Sequence, residues 1–315
     1  MKRYYIGVCT ACIFLMIAIS SIQCQSADEE VNPAAPLTQE LAAASDLTGH
    51  YRVTPNIVYV TAENYAAKLD IYKSSGSGSK ATLVYIHGGG WRGGPSKEEY
   101  SLWFEPFLFL GWNVVNVEYR PSTVASAPAA VQDCVCALRW VIRNAKKYDF
   151  DTNRIVIMGH SAGGHLALMS GIAPAAGFDQ ECPGNEPLKV AAIVDWFGIT
   201  DVSDLIHGVN TRTFAQQWIG SLPDPQTRAK RVSPLTYVRS GLPPTIIVHG
   251  DKDPKVPYSQ AVRLHTVLTA AGVPNQLLTI PGGGHGGFGN DQTRKAYAQI
   301  FEFLRRNGVG TQAVR

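Results

Sequence analysis

The chain has 315 residues, 45% hydrophobic and 17% charged, with a formal net charge of +3. Those values are ordinary for a globular protein with a well-filled core. Two of the positive charges are Lys2 and Arg3, so the rest is near neutral and gives no electrostatic reason to expect nucleic acid or an anionic membrane as partner.

Residues 1–26 read as a secretory signal peptide: a basic start at Lys2-Arg3, an apolar run from Ile6 to about Ile22, then small and polar residues. The run is short and wrongly flanked for a membrane anchor. Cys24 at −3 and Ser26 at −1 predict Ala27 as the first mature residue. The alternative is a lipoprotein cut before Cys24, for which Gln23 is a poor preceding residue. Residues 27–48 are polar, alanine-rich and proline-broken, and predict a flexible tether.

Two alternating stretches, 50–60 and 67–72, suit strands at an antiparallel edge. Ser74 to Ser79 is a flexible loop. From there strands and helices alternate. Strands are expected at 81–86, 111–117, 154–158, 190–196, 244–249 and 276–280. Helices are expected at 98–110, 127–148, from 165 onward, 259–271 and 291–307. The helix at 127–148 carries Val131, Cys134, Val135, Leu138 and Ile142 on one face. Such alternation predicts βαβ units and an α/β fold, its parallel sheet covered on both faces. Residues 201–241 break the rhythm with short helical pieces near 212–219 and 225–230, a small helical insertion of cap or lid type. The chain from 49 to 308 is thus expected to form one domain, followed by a tail at 309–315.

Cys134, Cys136 and Cys182 remain after the leader. The first two lie two apart on a helix and point to opposite sides, so they cannot bridge each other. A Cys134–Cys182 bond is allowed in an oxidising compartment, with buried free thiols as the alternative. No zinc or haem spacing is present, and no cofactor is expected.

In parallel sheets, chemistry collects at the carboxyl ends of strands. Gly159-His160-Ser161-Ala162-Gly163 sits between a strand and a helix, the context of a nucleophile elbow. Ser161 is the candidate nucleophile. His87-Gly88-Gly89-Gly90-Trp91 follows another strand. Its glycines let amide groups converge on a negative oxygen, so Gly89, Gly90 and Ala162 are the candidate oxyanion donors. A serine needs a base, and His285, in the glycine-rich loop 281–288, has the best context of the eight histidines. His160 should point away from Ser161, and His249 should pack at a strand end. The orienting acid should lie between serine and histidine in the chain. Asp253 is preferred, with Asp251 and Asp201 as rivals. Trp91, Trp196 and Phe197 follow strands near these loops and are candidates for lining a substrate pocket or for core packing.

With HGGGW at 87–91, GHSAGG at 159–164, DWFGITD at 195–201, HGDKDPKVP at 249–257 and GGGHGGF at 282–288, residues 49–306 resemble α/β-hydrolase esterases. They are most similar to those named for bifunctional feruloyl and acetyl xylan esterases, cousins of the hormone-sensitive-lipase-like group. The resemblance implies an eight-stranded, mostly parallel sheet and metal-free hydrolysis of acyl esters. It also implies the triad Ser161, Asp253 and His285, with amides of the triple glycine and of Ala162 holding the oxyanion. Two departures from the hormone-sensitive-lipase-like pattern are His160, where an acidic residue is usual, and the lack of a large amino-terminal cap. The expected substrate is a small-molecule or polysaccharide-linked ester of a short acid, such as acetyl or feruloyl esters of plant polysaccharide. A prolyl-oligopeptidase-type peptidase would normally bring a propeller before residue 49. A binding module would be expected to have lost a residue of the triad or the glycine loop, and none is missing.

Overall fold

A computed structural model of the chain describes residues 51–93, 101–174 and 176–310. The expected signal peptide with Cys24, the tether, and the tail beyond residue 310 lie outside the described residues. Among those described, no helix is long and apolar enough to cross a membrane.

The strands are β1 (Tyr51–Ala62), β2 (Tyr65–Ser74), β3 (Lys80–Ile86), β4 (Asn113–Val117), β5 (Phe150–His160), β6 (Ala192–Trp196), β7 (Thr245–Gly250) and β8 (Asn275–Ile280). The helices are α1 (Ser101–Phe109), α2 (Ala129–Arg143), α3 (Ala145–Tyr148), α4 (Ala162–Ile172), α5 (Thr213–Ile219), α6 (Pro225–Arg231), α7 (Ser259–Ala270) and α8 (Asn290–Arg306). One sheet runs β1-β2-β4-β3-β5-β6-β7-β8. β2 is antiparallel to both its neighbours, and every pairing from β4 to β8 is parallel.

The central strands β3, β4, β6 and β7 are buried on both faces, as their apolar, β-branched composition requires. Leu83 and Tyr85 of β3 face a core shared with α1 and α8, while Val84 and Ile86 face one shared with α2, α4 and α7. In α1 the buried residues are Trp103, Phe104, Pro106, Phe107 and Leu108. The expected helix at 127–148 divides at Asn144, whose side-chain amide donates to the Trp140 carbonyl at 2.8 Å and competes with the helical ladder.

The insertion holds α5, α6 and three short 3-10 turns. Leu205, Ala215, Trp218, Ile219, Ala229 and Val232 are buried in the same core as α2 and α4. Those side chains anchor it to the domain, while residues 207–209 and 221–227 stay exposed.

A disulfide joins Cys136 to Cys182, where the sequence allowed one only between Cys134 and Cys182 and otherwise expected buried free thiols. Side chains two apart on a helix diverge. Among the described residues Cys134 is the free thiol, fully buried, and Cys136 meets the loop that carries Cys182.

Candidate active site

Every parallel strand ends at the same rim, so the loops after β3, β5, β6, β7 and β8 share one edge of the sheet. Ser161 follows β5 with φ 53° and ψ −122°, a region that a non-glycine residue occupies only under constraint. The constraint comes from close packing. A Cβ at Gly159 would run into the Gly163 carbonyl, and one at Gly163 into the carbonyls of Ile86 and His87. The Ser161 amide donates to the Trp196 carbonyl at 2.9 Å, which ties the turn to β6.

His285 lies in the loop after β8. Its Nε2 is 2.8 Å from Ser161 Oγ and its Nδ1 is 2.7 Å from Asp253 Oδ2. Asp253 Oδ1 accepts the amides of Lys255 and Val256 at 2.8 and 2.9 Å. His249 Nε2 lies 3.2 Å from Asp253 Oδ2 and 3.0 Å from the Val256 carbonyl. A carbonyl can only accept, so that nitrogen carries the proton. Burial alone would raise the Asp253 pKa, but hydrogen bonds from His249 and His285 outweigh it and hold the carboxyl well below the usual range. His249, expected only to pack at a strand end, is therefore also a donor to the acid. Its i, i+4 spacing from Asp253 across a loop carries no signal in sequence.

The two rival acids do other work. Asp251 Oδ1 accepts the Gly282 amide at 2.7 Å, joining the loop after β7 to the one that carries His285. Asp201 accepts the Ser203 amide and an ion pair from Arg263 at 3.0 Å.

Gly89, Gly90 and Trp91 have consecutive positive φ values of 105°, 58° and 58°. The carbonyls of His87 and Gly88 both accept from the Tyr119 hydroxyl at 3.1 Å. Among the described residues, the amides of Gly89 and Gly90 have no acceptor, so they are available to an incoming oxygen.

Two of the candidate pocket residues are corrected. Trp91 and Trp196 have no exposure. Trp91 stacks on Trp218 of the insertion with centroids 4.1 Å apart, and Trp196 packs among Trp103, Phe288 and Tyr297. Both are wall supports rather than lining. Phe197, also buried, lies with its ring 4.7 Å from that of His285 and backs the imidazole. Phe214 was not anticipated: its Cβ comes within 3.4 Å of where a Gly90 Cβ would stand, filling one side of the glycine loop. His160 turns away from Ser161, stacks on Trp103 and meets the Tyr85 hydroxyl at 3.0 Å. Burial first, then the neighbouring His87 and His285, keep His160 neutral to well below the usual imidazole range.

Burial holds the Asp195 carboxyl up at about 7, although His249 and the Gly198 amide lower it. No group of three or more metal-ligating side chains is placed to hold an ion among the described residues.

The BD-FAE family profile matches residues 69–268. Esterase LipQ of Mycobacterium tuberculosis is 31% identical over 197 residues, covering 60% of this chain and 46% of that protein. Ethyl acetate hydrolase of Pseudomonas putida is 27% identical over 217 residues, 65% of each chain. The chain spans about half the length of the first curated relatives it matches. Among solved structures, a truncated carbohydrate esterase from gut microbiota superposes with a TM-score of 0.68 at 27% identity, covering 82% of this chain and 97% of that one. Esterase 2 of Thermogutta terrifontis superposes at 0.70 with 27% identity, covering 85% and 96%. That esterase is also known with propionate bound and phosphorylated by paraoxon. The architecture is the α/β-hydrolase fold.

Proposed function

The chain belongs to the BD-FAE family, and from that premise we propose that it is a serine carboxylesterase with the triad Ser161, His285 and Asp253. His285 Nε2 takes the Ser161 proton as Oγ attacks the ester carbonyl, and the anionic Asp253 stabilises the imidazolium that forms. The amides of Gly89, Gly90 and Ala162 hold the developing oxyanion, each worth roughly 3 kcal/mol of barrier. His285 then protonates the departing alcohol, and the same histidine activates the water that releases the acid. The observation that carries this reading is the unbroken run of contacts at 2.8 and 2.7 Å from hydroxyl through imidazole to buried carboxylate.

Short acyl groups are favoured, because Phe214 occupies the space beside Gly90 and because similar proteins are an ethyl acetate hydrolase and an esterase that binds propionate. Acetyl or feruloyl esters of plant polysaccharide are the natural substrates in this reading, in keeping with the structural likeness to a carbohydrate esterase. Stopped-flow mixing with p-nitrophenyl acetate should give a p-nitrophenol burst equal in amplitude to the enzyme. Acetylated xylan, methyl ferulate and a p-nitrophenyl chain-length series then rank the natural ester. No turnover of any of these esters would rule the proposal out.

The protein is secreted in the same reading. The Cys136–Cys182 disulfide suits an oxidising compartment, as does the leader at 1–26. Expression of the full chain should yield a periplasmic or extracellular product whose intact mass begins at Ala27. A product retaining Met1 in the cytosol would contradict this, and a lipid-modified Cys24 would replace free secretion with anchoring.

A further inference from the structure

His165 has no exposure and lies one helical turn beyond Ser161, its amide donating to the Ser161 carbonyl at 3.0 Å. Its side chain makes two contacts of opposite kind. Nε2 is 2.6 Å from the Val232 carbonyl, which can only accept, so Nε2 carries the proton. The lone pair of Nδ1 is left to accept the Trp91 indole N–H at 3.2 Å. Only the neutral imidazole in this one tautomer satisfies both partners. Burial keeps it in that form down to about pH 4, although the bond to Val232 favours the proton.

What Trp91 holds makes this contact matter. Trp91 directly follows Gly89 and Gly90 and has a φ of 58°, a costly conformation for a bulky side chain. The adjoining turn is closed by the Arg92 amide on the Gly89 carbonyl at 3.0 Å. The indole is locked by its stack on Trp218, and the edge of the His165 ring meets both indoles at 5.1 and 5.2 Å. The turn and the Ser122 amide, which donates to the Trp91 carbonyl at 2.6 Å, hold the backbone, and the anchored side chain adds a second restraint against the strained φ.

We infer that His165 is a positioning residue: it fixes the distance between the nucleophile turn, to which its backbone is bonded, and the Gly89–Gly90 loop, which it grips through Trp91. The inference rests on the serine-esterase reading. It assigns His165 no contact with substrate. Its effect falls on the alignment of the oxyanion amides, which act in the transition state, so kcat should respond and KM should not.

The test compares steady-state kinetics on p-nitrophenyl acetate for wild type, His165→Phe, His165→Asn, Trp91→Phe and the double variant His165→Phe/Trp91→Phe. His165→Phe keeps ring bulk and loses both polar contacts, and kcat should drop roughly 100-fold, as for a lost oxyanion donor, with KM within about twofold. Asn places its Oδ1 near the former Nδ1 and can still accept from Trp91, so His165→Asn should recover to within roughly tenfold of wild type. Trp91→Phe removes the indole N–H and should lower kcat about tenfold or more. The double variant should be little worse than His165→Phe, since both remove one contact. Should His165→Phe fail to fold, Trp91→Phe alone still decides. An unchanged kcat in Trp91→Phe, equal losses in the Phe and Asn variants, or a change confined to KM overturns the positioning role. A Ser161→Ala variant that keeps wild-type turnover overturns the serine reading instead, so the two failures are distinct.

Discussion

Ser161→Ala is expected to abolish turnover of p-nitrophenyl acetate, with kcat lowered roughly 10⁶-fold, and Asp253→Asn should lower it roughly 10⁴-fold. The asparagine case follows from the hydrogen bonds. If the Asn oxygen keeps the amides of Lys255 and Val256, its NH₂ group falls where Oδ2 was. There it meets the protonated Nε2 of His249 and the Nδ1 of His285. A donor facing His285 Nδ1 favours the tautomer with the proton on Nε2, which points at Ser161 and cannot accept its proton. KM should stay within about threefold, because no substrate contact is touched. Asp201→Asn is the control. Its partner Arg263 has a side chain 41% exposed, so the ion pair is worth at most about 1 kcal/mol and kcat should remain at the wild-type value. An active Asp253→Asn beside a dead Asp201→Asn would transfer the acid's role to Asp201.

The strands were legible because runs such as Ala81–Ile86 and Arg154–Met158 have the apolar, β-branched content that burial on two faces demands. The rim was legible for a related reason. Once the strands are parallel, Ser161, Asp253 and His285, each just past a strand end, must come out on the same side. Contacts fixed by packing between distant segments were not legible. Cys136 rather than Cys134 reaches Cys182 because the sheet claims the inner face of α2. Trp91 and Trp196 read equally well as pocket or core, and only the indole of Trp218 and the α8 side chain Tyr297 decide for core. His165 offered one clue, a polar side chain a single turn past the nucleophile on a helix otherwise made of small and apolar residues. Its partners, Trp91 and the Val232 carbonyl, lie 74 and 67 positions away. The insertion reads as a cap in sequence because its helices are short. Arg212, donating to the carbonyls of Lys255 and Pro254 at 2.8 and 3.1 Å, binds it to the acid loop.

Acidification should begin to destabilise the domain well above the pH at which carboxylates normally titrate. Three buried histidines drive this. Burial lowers His87 and His165 to about 4, despite the raising effect of backbone hydrogen bonds to Gly88 and Val232, and lowers His160 well below its usual value. In the unfolded chain each would titrate near 6.5. The folded form binds these protons less readily, so the histidines' contribution is complete above pH 6.5 and is lost as pH falls toward 4. Each proton taken up only on unfolding costs roughly 1.4 kcal/mol per pH unit. Asp195 has the opposite sign. Held up at about 7 in the fold, chiefly by burial, it binds a proton that the unfolded chain has released. Its contribution is present at low pH and is lost as pH rises from about 3.8 to 7. Glu105 and Asp133, raised less, oppose the histidines only near the bottom of the range. With three protons set against one, the unfolding free energy should fall by roughly 2–3 kcal/mol per pH unit between pH 6 and 4.5, a large share of the 5–15 kcal/mol typical of a domain. Urea titrations at pH 7, 6, 5 and 4.5 measure that slope directly. A flat profile, or stability that grows on acidification, would show that the buried carboxyls outweigh the histidines. Asp195→Asn keeps the shape of the protonated acid and removes the opposing proton, so it should steepen the acid loss by about 1.4 kcal/mol per pH unit.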